Sequence, residues 1–317
     1  DTINGDDGGS IEFVPNTNYN GKYAATADKM HWDILLDDTS RTTALQEATV
    51  QVMENVPDAN AEQLMAAGAS VDYIQGFNQP FFMFNTLKKP FDDKRVRQAF
   101  YYAVDVDKLI SNAMAGHAAK VTSFLPESHE NYHKASTVYT YDPEKAKEIL
   151  DSAGYTADAD GKRNLTVKLS YNSGGGHEDI MSIIQGDFEA IGVTVQQNSM
   201  EWAAYLTALD DGGFQLGRMG WIADYPNMDN FLYPNFYSTS SNNYGKYSNP
   251  EFDKLVEDAR KVTDEEERKS EYRKACKLLG EDMPVIPSHV LRARPHWLRE
   301  DSEPVLRPGR HCPPRRG

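Results

Sequence analysis

A buried strand that stops abruptly in a polar turn constrains this chain more than any other feature. The apolar run Phe214–Trp221 predicts the strand, and Asp224–Asn227 predicts the turn, because Asp and Asn form turns and the Tyr-Pro pair between them is held extended. In open α/β sheets, ligands bind at the carboxyl ends of strands. Three candidate binding side chains follow one another at intervals of three residues at this end: Arg218, Trp221 and Asp224. Their chemistry suits the recognition of a zwitterion.

The sequence before this strand alternates between strand and helix patterns. Leu165–Tyr171 predicts a strand, Ile180–Ala190 predicts a helix, and Val193–Val195 predicts a second strand. This order indicates a crossover unit and a mostly parallel sheet. A triple glycine at 174–176 connects the first strand to the helix. Because no Gly-Lys-Ser/Thr follows it, a flexible connection is favoured over a phosphate-binding loop.

Further helices are marked by residues that favour helix N-termini. The predicted caps are Asp92 or Asp93 with a restart at Asp105, Asp142 before Pro143, and Asn249 before Pro250. After the last of these helices comes a charged stretch, 263–270, and then a second apolar helical pattern through 272–279. Residues 283–287 predict a short strand, pinned by prolines, that suits a crossing between domains.

Composition and charge exclude several classes of protein. The chain has 317 residues, which predicts about two domains of roughly 150 residues each. Its formal net charge of -15 argues against a nucleic-acid partner, because phosphate binding needs clustered Lys and Arg. Two cysteines, Cys276 and Cys312, and eight scattered histidines show no metal-ligand spacing, so no metal and no cofactor are predicted. No apolar run approaches the ~20 residues of a membrane helix.

Both ends of the sequence are unlike an ordinary domain terminus. The first residues lack the basic and apolar regions of a signal peptide, so the sequence is interpreted as beginning in mature or mid-domain chain. After Leu291, seven arginines lie among prolines without an apolar period. This segment is interpreted as a disordered tail without function, and the alternative is a segment that binds acidic partners.

A set of motifs in a fixed order suggests a family. The motifs are Phe84–Thr86 with Pro90–Ala99, Tyr141–Ala146, Gly220–Pro226, Tyr247–Asp253 and Met283–Pro287. Together they resemble the extracytoplasmic solute-binding proteins of ABC transporters, family 5, which take up oligopeptides and dipeptides. The resemblance runs from about Phe13 to about Pro287.

The resemblance implies a fold and a division into lobes. The expected fold is α/β, a periplasmic-binding-protein-like (type II) two-lobe clamp with a complete C-terminal lobe and a partial N-terminal lobe. Residues 1–88 would form part of the first lobe, 89–284 the second lobe, and 285–317 a return into the first lobe and the tail. Family members are considerably longer, so the chain is interpreted as an N-terminally truncated fragment, with the lobe crossings near 85–89 and 284–287.

The resemblance also implies roles for the residues at the strand end. Asp224 would anchor the α-ammonium of a peptide, Trp221 would line a side-chain pocket, and Arg218 would lie in the same cavity. Three residues of a polar loop are added as candidates for donors and acceptors to the peptide backbone: Asn242, Asn243 and Tyr244. By contrast, the phenylalanines at 81, 82 and 84 are predicted to be core residues.

The predicted function is therefore capture of short peptides between two lobes and delivery to a membrane permease of an ABC importer. A monomer outside the cytoplasm is expected, either periplasmic or a cell-surface lipoprotein. The family also includes carriers of nickel, haem and sugars, which remain alternatives. A hydrolase using Asp224, Asp229 and Glu201 is disfavoured, because no nucleophile-elbow, zinc-protease or Walker motif is present. With an incomplete first lobe, the chain is predicted to bind ligand weakly or not at all.

Overall fold

The structure, a computed structural model, describes residues 8–54, 56–70, 74–75, 78–114, 116, 118–121, 123–125, 139–225 and 227–293. Pro226 and the Arg/Pro-rich tail from residue 294 lie outside these ranges. The chain divides into two compact units, with changeovers between Ile74 and Gln75 and between Arg292 and Ala293. The lobe limits expected from the resemblance, at 88/89 and 284/285, stay a prediction.

The first unit contains a small sheet and two short helices. Strands β1 (Ser10–Phe13) and β2 (Met30–Asp33) pair antiparallel. Helices α1 (Asp38–Gln46) and α2 (Asp58–Ala66) follow, and the Asp37 carboxylate caps α1 by accepting from the Ser40 amide at 2.8 Å. The buried core of this unit consists of Leu45, Met53, Val56, Ala61 and Leu64.

A five-stranded sheet organises the second unit. Its strands, in spatial order, are β7 (Thr194–Met200), β6 (Thr166–Asn172), β8 (Leu216–Ile222), β4 (Asn78–Phe84) and β9 (Val285–Pro287). β6 pairs parallel with both β7 and β8, whereas β4 pairs antiparallel with β8 and β9. Four of the five strands therefore run in one direction, which agrees with the predicted mostly parallel sheet. Three short strands form a separate sheet: β3 (Ile74–Gln75), β10 (His289–Ala293) and β5 (Ala118–Lys120). In it, β5 and β10 pair antiparallel.

Helices cover both faces of this sheet. One face carries α3 (Lys94–Ala103), α4 (Val106–Ala113), α5 (Pro143–Ser152) and α6 (His177–Glu189). The other face carries α7 (Trp202–Asp210), α8 (Met228–Phe236), α9 (Pro250–Lys261) and α10 (Glu265–Asp282). β4 supplies both cores because its side chains alternate: Phe82 and Phe84 enter the first, and Phe81 and Met83 enter the second. The predicted core role is confirmed for Phe82 and Phe84, whereas Phe81 is buried in the second core and also lines the pocket described below.

The predicted caps hold the helices of this unit. Asp93 caps α3, Asp105 caps α4, Asp142 caps α5 and Asn249 caps α9, each by accepting a backbone N–H of the first helical turn. The sequence pattern assigns no structure to the charged stretch 263–270, and most of it is helical. Asp264 caps α10, residues 265–270 form its first turns, and their charges pair along the helix, with Lys269 Nζ 2.7 Å from Glu265 Oε1.

Candidate functional site

A pocket lies where β4, β8 and β9 meet the loop 242–247, which we call the pocket loop. It contains about 440 Å³ of space that no atom fills, part of it open to solvent. Its walls are mostly apolar and include Phe81, Met83, Met219, Phe236 and Val285. Four of the six predicted binding residues also line it: Trp221, Asn242, Asn243 and Tyr244.

Asn243 shapes the pocket loop from inside. Its side chain is 2% exposed, and its Nδ2 donates to the Tyr247 carbonyl at 2.8 Å and to the Tyr237 carbonyl at 3.2 Å. Its Oδ1 accepts the Tyr247 N–H at 3.1 Å. The amide group is thus occupied by backbone groups of Tyr247 in the loop and of Tyr237 at the end of α8, which makes Asn243 a structural clamp of the pocket wall.

The neighbouring loop residues are more accessible. The Asn242 side chain is half-buried and makes no hydrogen bond with any residue that the structure describes, so its amide is available to a ligand. Tyr244 is also half-buried, and burial raises the pKa of its phenol, with a smaller contribution from the charge of Asp210. The phenol therefore stays protonated and can donate a hydrogen bond into the pocket.

Trp221 and Asp224 are joined through one buried side chain, that of Asn230. The indole Nε1–H of Trp221 donates to Asn230 Oδ1 at 3.0 Å, and the backbone N–H of Asp224 donates to the same atom at 3.1 Å. The Asp224 side chain itself is exposed, and its carboxylate makes no ion pair or hydrogen bond within the described ranges. An exposed carboxylate thus stands three residues beyond a tryptophan that walls the pocket.

Asn230 is a site residue that the sequence does not reveal. It lies inside α8 and is 4% exposed. An asparagine near a helix start is usually read as a cap or a surface residue, and nothing in its spacing indicates burial beneath a strand end. Only the packing of α8 against the end of β8 brings it to Trp221.

Arg218 lies apart from this group. The register between β8 and β4 is continuous from Leu216↔Phe84 to Ile222↔Asn78, so successive side chains of β8 alternate between the two faces of the sheet. Arg218 therefore points to the face of α3–α6 and Trp221 to the face of the pocket. The Arg218 carbonyl accepts a hydrogen bond from the Tyr205 hydroxyl at 2.7 Å. The structure does not place Arg218 in the pocket lining, and its ligand role stays a prediction.

A glycine-rich loop occupies the same edge of the sheet. β6 ends at Asn172 beside the end of β8, and all three glycines at 174–176 have positive φ. Glycine adopts this backbone without steric cost, which explains the triple glycine without a phosphate. His177 begins α6 here, with its Nδ1 3.0 Å from the Asn172 carbonyl oxygen. Like Asn230, His177 is a polar residue near the strand ends that was not among the predicted binding residues.

The described ranges contain no cluster of three or more His, Cys, Asp or Glu side chains arranged to hold a metal ion. Nor does any helix within them have the length and apolar character needed to cross a bilayer.

Comparison with known proteins decides the family. Residues 4–243 match the family model described as bacterial extracellular solute-binding proteins, family 5, middle region. The chain belongs to this family. It is 32% identical over 286 residues to haem-binding protein A of Haemophilus influenzae, covering 88% of this chain and 51% of that protein. It is 30% identical over 268 residues to the dipeptide-binding protein of Escherichia coli, covering 82% of this chain and 49% of that protein.

A solved structure agrees with this assignment. The ABC transporter-associated periplasmic binding protein DppA of Helicobacter pylori, in complex with the peptide STSA, superposes with a TM-score of 0.80 at 28% identity. The superposition covers 91% of this chain and 56% of that one. The α/β periplasmic-binding-protein-like fold is thereby confirmed. The chain spans about half the length of the curated relatives it matches.

Proposed function

We propose that this chain carries the peptide-anchoring part of the solute-binding component of an ABC importer. The observation that carries the proposal is the exposed carboxylate of Asp224, which is unpaired among the described residues and lies in a turn held beside an apolar pocket. Peptide-binding relatives with this fold support the choice of ligand, since the Helicobacter pylori protein was solved with the peptide STSA.

The chemistry of a peptide N-terminus fits this carboxylate. A free peptide carries a permanent ammonium, and an enclosed site has to pair that charge because burying it unpaired is prohibitive. A charge-assisted hydrogen bond to Asp224 would contribute roughly 1.5–3 kcal/mol net. This contribution does not depend on the side chains of the ligand, so it would serve many peptides equally.

The pocket suits an apolar side chain of the same peptide. Its thioethers at Met83 and Met219 are flexible and polarisable, so they adapt to side chains of different shape. Trp221 and Tyr244 add aromatic surface to its lining, and Asn242 offers an amide for the main chain of the ligand. Backbone hydrogen bonds combined with an adaptable apolar pocket would give sequence-tolerant binding with a preference for apolar residues.

Partners and location follow from the same proposal. The chain would act without catalysis, as a monomer, and would hand its ligand to the transmembrane permease of an importer. The family is described as extracellular, which supports a location in the periplasm or on the cell surface as a lipoprotein. Because the chain spans about half the length of its relatives, we expect its affinity for peptides to be weak.

Native mass spectrometry of the gently purified chain tests this function. Because the affinity is expected to be weak, mixed short peptides are added at millimolar concentration, and we expect a heterogeneous set of them on the wild-type chain and a much smaller load on Asp224→Ala. Asp160→Ala is the matched control, because Asp160 is an exposed aspartate near the amino end of β6, at the opposite edge of the sheet. An empty wild-type chain that also ignores added peptide at millimolar concentration, or equal peptide loads in all three proteins, would contradict the proposal.

Haem is a second candidate ligand, because a relative 32% identical to this chain is named for haem binding. Titration with hemin distinguishes the two ligands: a Soret shift that Asp224→Ala leaves unchanged would favour haem over peptide.

A further inference from the structure

The Oδ1 atom of Asn230 accepts two hydrogen bonds from the strand end that carries the candidate site. One comes from the Trp221 indole at 3.0 Å and the other from the Asp224 backbone amide at 3.1 Å. Both donors are N–H groups, so the side-chain amide has to present its oxygen to them, and a carbonyl oxygen has two lone pairs for this purpose. The orientation of the Asn230 amide is therefore determined by its partners.

The two bonds fix different parts of the site. The bond to the indole holds the ring of Trp221 in one orientation on the wall of the pocket. The bond to the Asp224 amide holds the backbone of the turn, and with it the position from which the exposed carboxylate projects. Asn230 is 4% exposed, so water does not compete readily for its oxygen.

The base of α8 is itself held in place. The Asn227 side chain caps the helix by accepting from the Asp229 amide at 3.0 Å. The Asp229 carboxylate in turn accepts from the Tyr272 hydroxyl of α10 at 3.0 Å and lies 3.4 Å from Arg260 Nε of α9. Asn230 therefore projects from a helical turn fastened to two other helices, and it has little freedom to follow a moving strand end.

We propose that Asn230 is a positioning residue that sets the ammonium anchor and the pocket wall in one fixed relation. This inference rests on the proposed peptide-binding function and adds the residue through which Asp224 and Trp221 act together. The site would then bind a ligand ammonium at Asp224 and a ligand side chain against Trp221 at a constant distance from each other. Removing the shared acceptor would release both at once.

The first test needs no ligand. In a chain labelled with ¹⁵N-tryptophan, the Trp221 indole resonance is assigned by its loss in Trp221→Phe, and that of Trp202 by its loss in Trp202→Phe. We expect slow exchange of the Trp221 indole proton with water and faster exchange at Trp202, which is 49% exposed. This comparison is made on the wild-type fold, so it does not depend on any variant at Asn230 being stable.

Variants at Asn230 then distinguish the effect of the hydrogen-bond acceptor from the effect of side-chain packing. Asn230→Leu keeps the approximate shape without an acceptor, and we expect an upfield shift and faster exchange of the Trp221 indole proton. Asn230→Asp keeps an oxygen in place, and we expect the wild-type resonance to be largely restored. Asn85→Leu is the matched control, because Asn85 is 2% exposed and clamps a loop at the opposite edge of the sheet. It should leave the Trp221 resonance unmoved.

Peptide affinity tests the consequence for binding. We expect Asn230→Leu to weaken binding about ten-fold and Asn230→Asp to recover most of that loss. In an Asp224→Ala background, Asn230→Leu should weaken binding by a clearly smaller factor than in wild type, because only the Trp221 wall is then left to be released. If Asn230 acted only through stability, Asn230→Leu would lower the peptide affinity by the same factor in both backgrounds, and aspartate would not restore that affinity.

Failure of the proposed peptide-binding function and failure of the positioning role give different results. If Asp224→Ala leaves peptide binding intact, the proposed function fails and the positioning role fails with it. If Asp224→Ala weakens binding but Asn230→Leu changes neither the indole resonance nor the affinity, the positioning role alone is overturned.

Discussion

The hydroxyl of Tyr247 donates a hydrogen bond to the Asp282 carboxylate at 2.8 Å, which ties the pocket loop to the end of α10. The same carboxylate oxygen accepts from Asn249 Nδ2 at 2.9 Å. Arg97, 6% exposed, donates to the carbonyl of Asp282 through Nη2 at 2.6 Å and so fastens α3 to the same point. Burial, followed by the charge of Asp282, raises the pKa of Tyr247, so its hydroxyl keeps the proton that it donates. The pocket loop is thus anchored to the helix that leads into β9.

We expect Tyr247→Phe to lower the free energy of unfolding by about 1.5–3 kcal/mol, because it removes a hydrogen bond to a charged group in a buried setting. Urea unfolding followed by circular dichroism measures the loss. Tyr141→Phe removes an exposed hydroxyl from the same unit and should stay within about 0.5 kcal/mol of wild type. Equal effects of the two substitutions would show that the Asp282 contact is not a stabilising anchor.

Two adjacent asparagines of the pocket loop are expected to behave differently. Asn243→Ala removes three hydrogen bonds from a buried clamp, and we expect a loss of roughly 2–4 kcal/mol of unfolding free energy. Asn242→Ala removes a half-buried amide that makes no hydrogen bond to described residues, so stability should change by less than about 0.5 kcal/mol.

The variants Asn242→Ala and Asn243→Ala also separate an effect on stability from an effect on peptide affinity. Peptide affinity at a temperature where both variants are folded should fall in Asn242→Ala if its amide contacts the ligand. Thermal unfolding of both variants is the companion measurement. A stable Asn243→Ala protein would contradict the clamp, and an unchanged affinity in Asn242→Ala would remove that residue from the site.

Gly245 is required by close packing at the pocket loop. A Cβ added there would lie 2.8 Å from the Phe84 carbonyl oxygen and 3.1 Å from Met83 Cγ. The loop cannot retreat freely, because the Gly245 carbonyl accepts from the Thr86 amide at 2.9 Å and from its hydroxyl at 3.0 Å. We expect Gly245→Ala to destabilise the protein by about 1–3 kcal/mol.

Gly186 is the contrasting position for that experiment. It lies exposed within α6, and a Cβ there would meet nothing within 4 Å. Gly186→Ala should therefore stabilise the protein by about 0.5–1 kcal/mol through helix propensity. Opposite signs of the two effects in urea unfolding support the steric argument, whereas a stabilising Gly245→Ala would refute it.

Local signals in the sequence predicted the local structure well. A capping side chain acts on the amides of the next few residues, so Asp142 and Asn249 could be assigned without knowing the fold. The core phenylalanines of β4 could be assigned for a similar reason, since a dense apolar run has to be buried. Recognition of several ordered motifs then supplied the family and the fold class.

Contacts between different secondary-structure elements, and the face of the sheet to which a side chain points, could not be predicted from the sequence. Arg218 and Trp221 are three residues apart, a spacing that would bring side chains together on a helix but places them on opposite faces of a strand. Asn230 meets Trp221 only because α8 folds back under the end of β8. The charged start of α10 lacks an apolar face in its first turns, so only its cap and ion pairs mark it as helix.

A buried carboxylate on α6, paired with a partly exposed lysine, leads to a prediction about pH. Asp187 is 4% exposed, accepts from Lys108 Nζ at 2.8 Å and from the Asp105 amide at 3.0 Å. Burial raises the pKa of the Asp187 carboxyl, and this effect outweighs the opposing hydrogen bond from Lys108. Between the unfolded pKa and the raised folded pKa, the folded state therefore binds more protons than the unfolded state. In that window, the contribution of Asp187 to the free energy of unfolding falls as pH rises, and above it the contribution is constant.

We expect the stability of wild type relative to Asp187→Asn to decrease as pH rises through the acid range and then to level off. Urea unfolding of both proteins from about pH 3 to about pH 8 measures the difference, which cancels the titration of the other carboxylates. Lys108→Met removes the hydrogen bond that lowers the pKa of Asp187, so in that variant the decrease should extend to higher pH. If wild type instead gained stability over Asp187→Asn as pH rose, the Lys108 pair would outweigh burial, and the sign of the argument would be reversed.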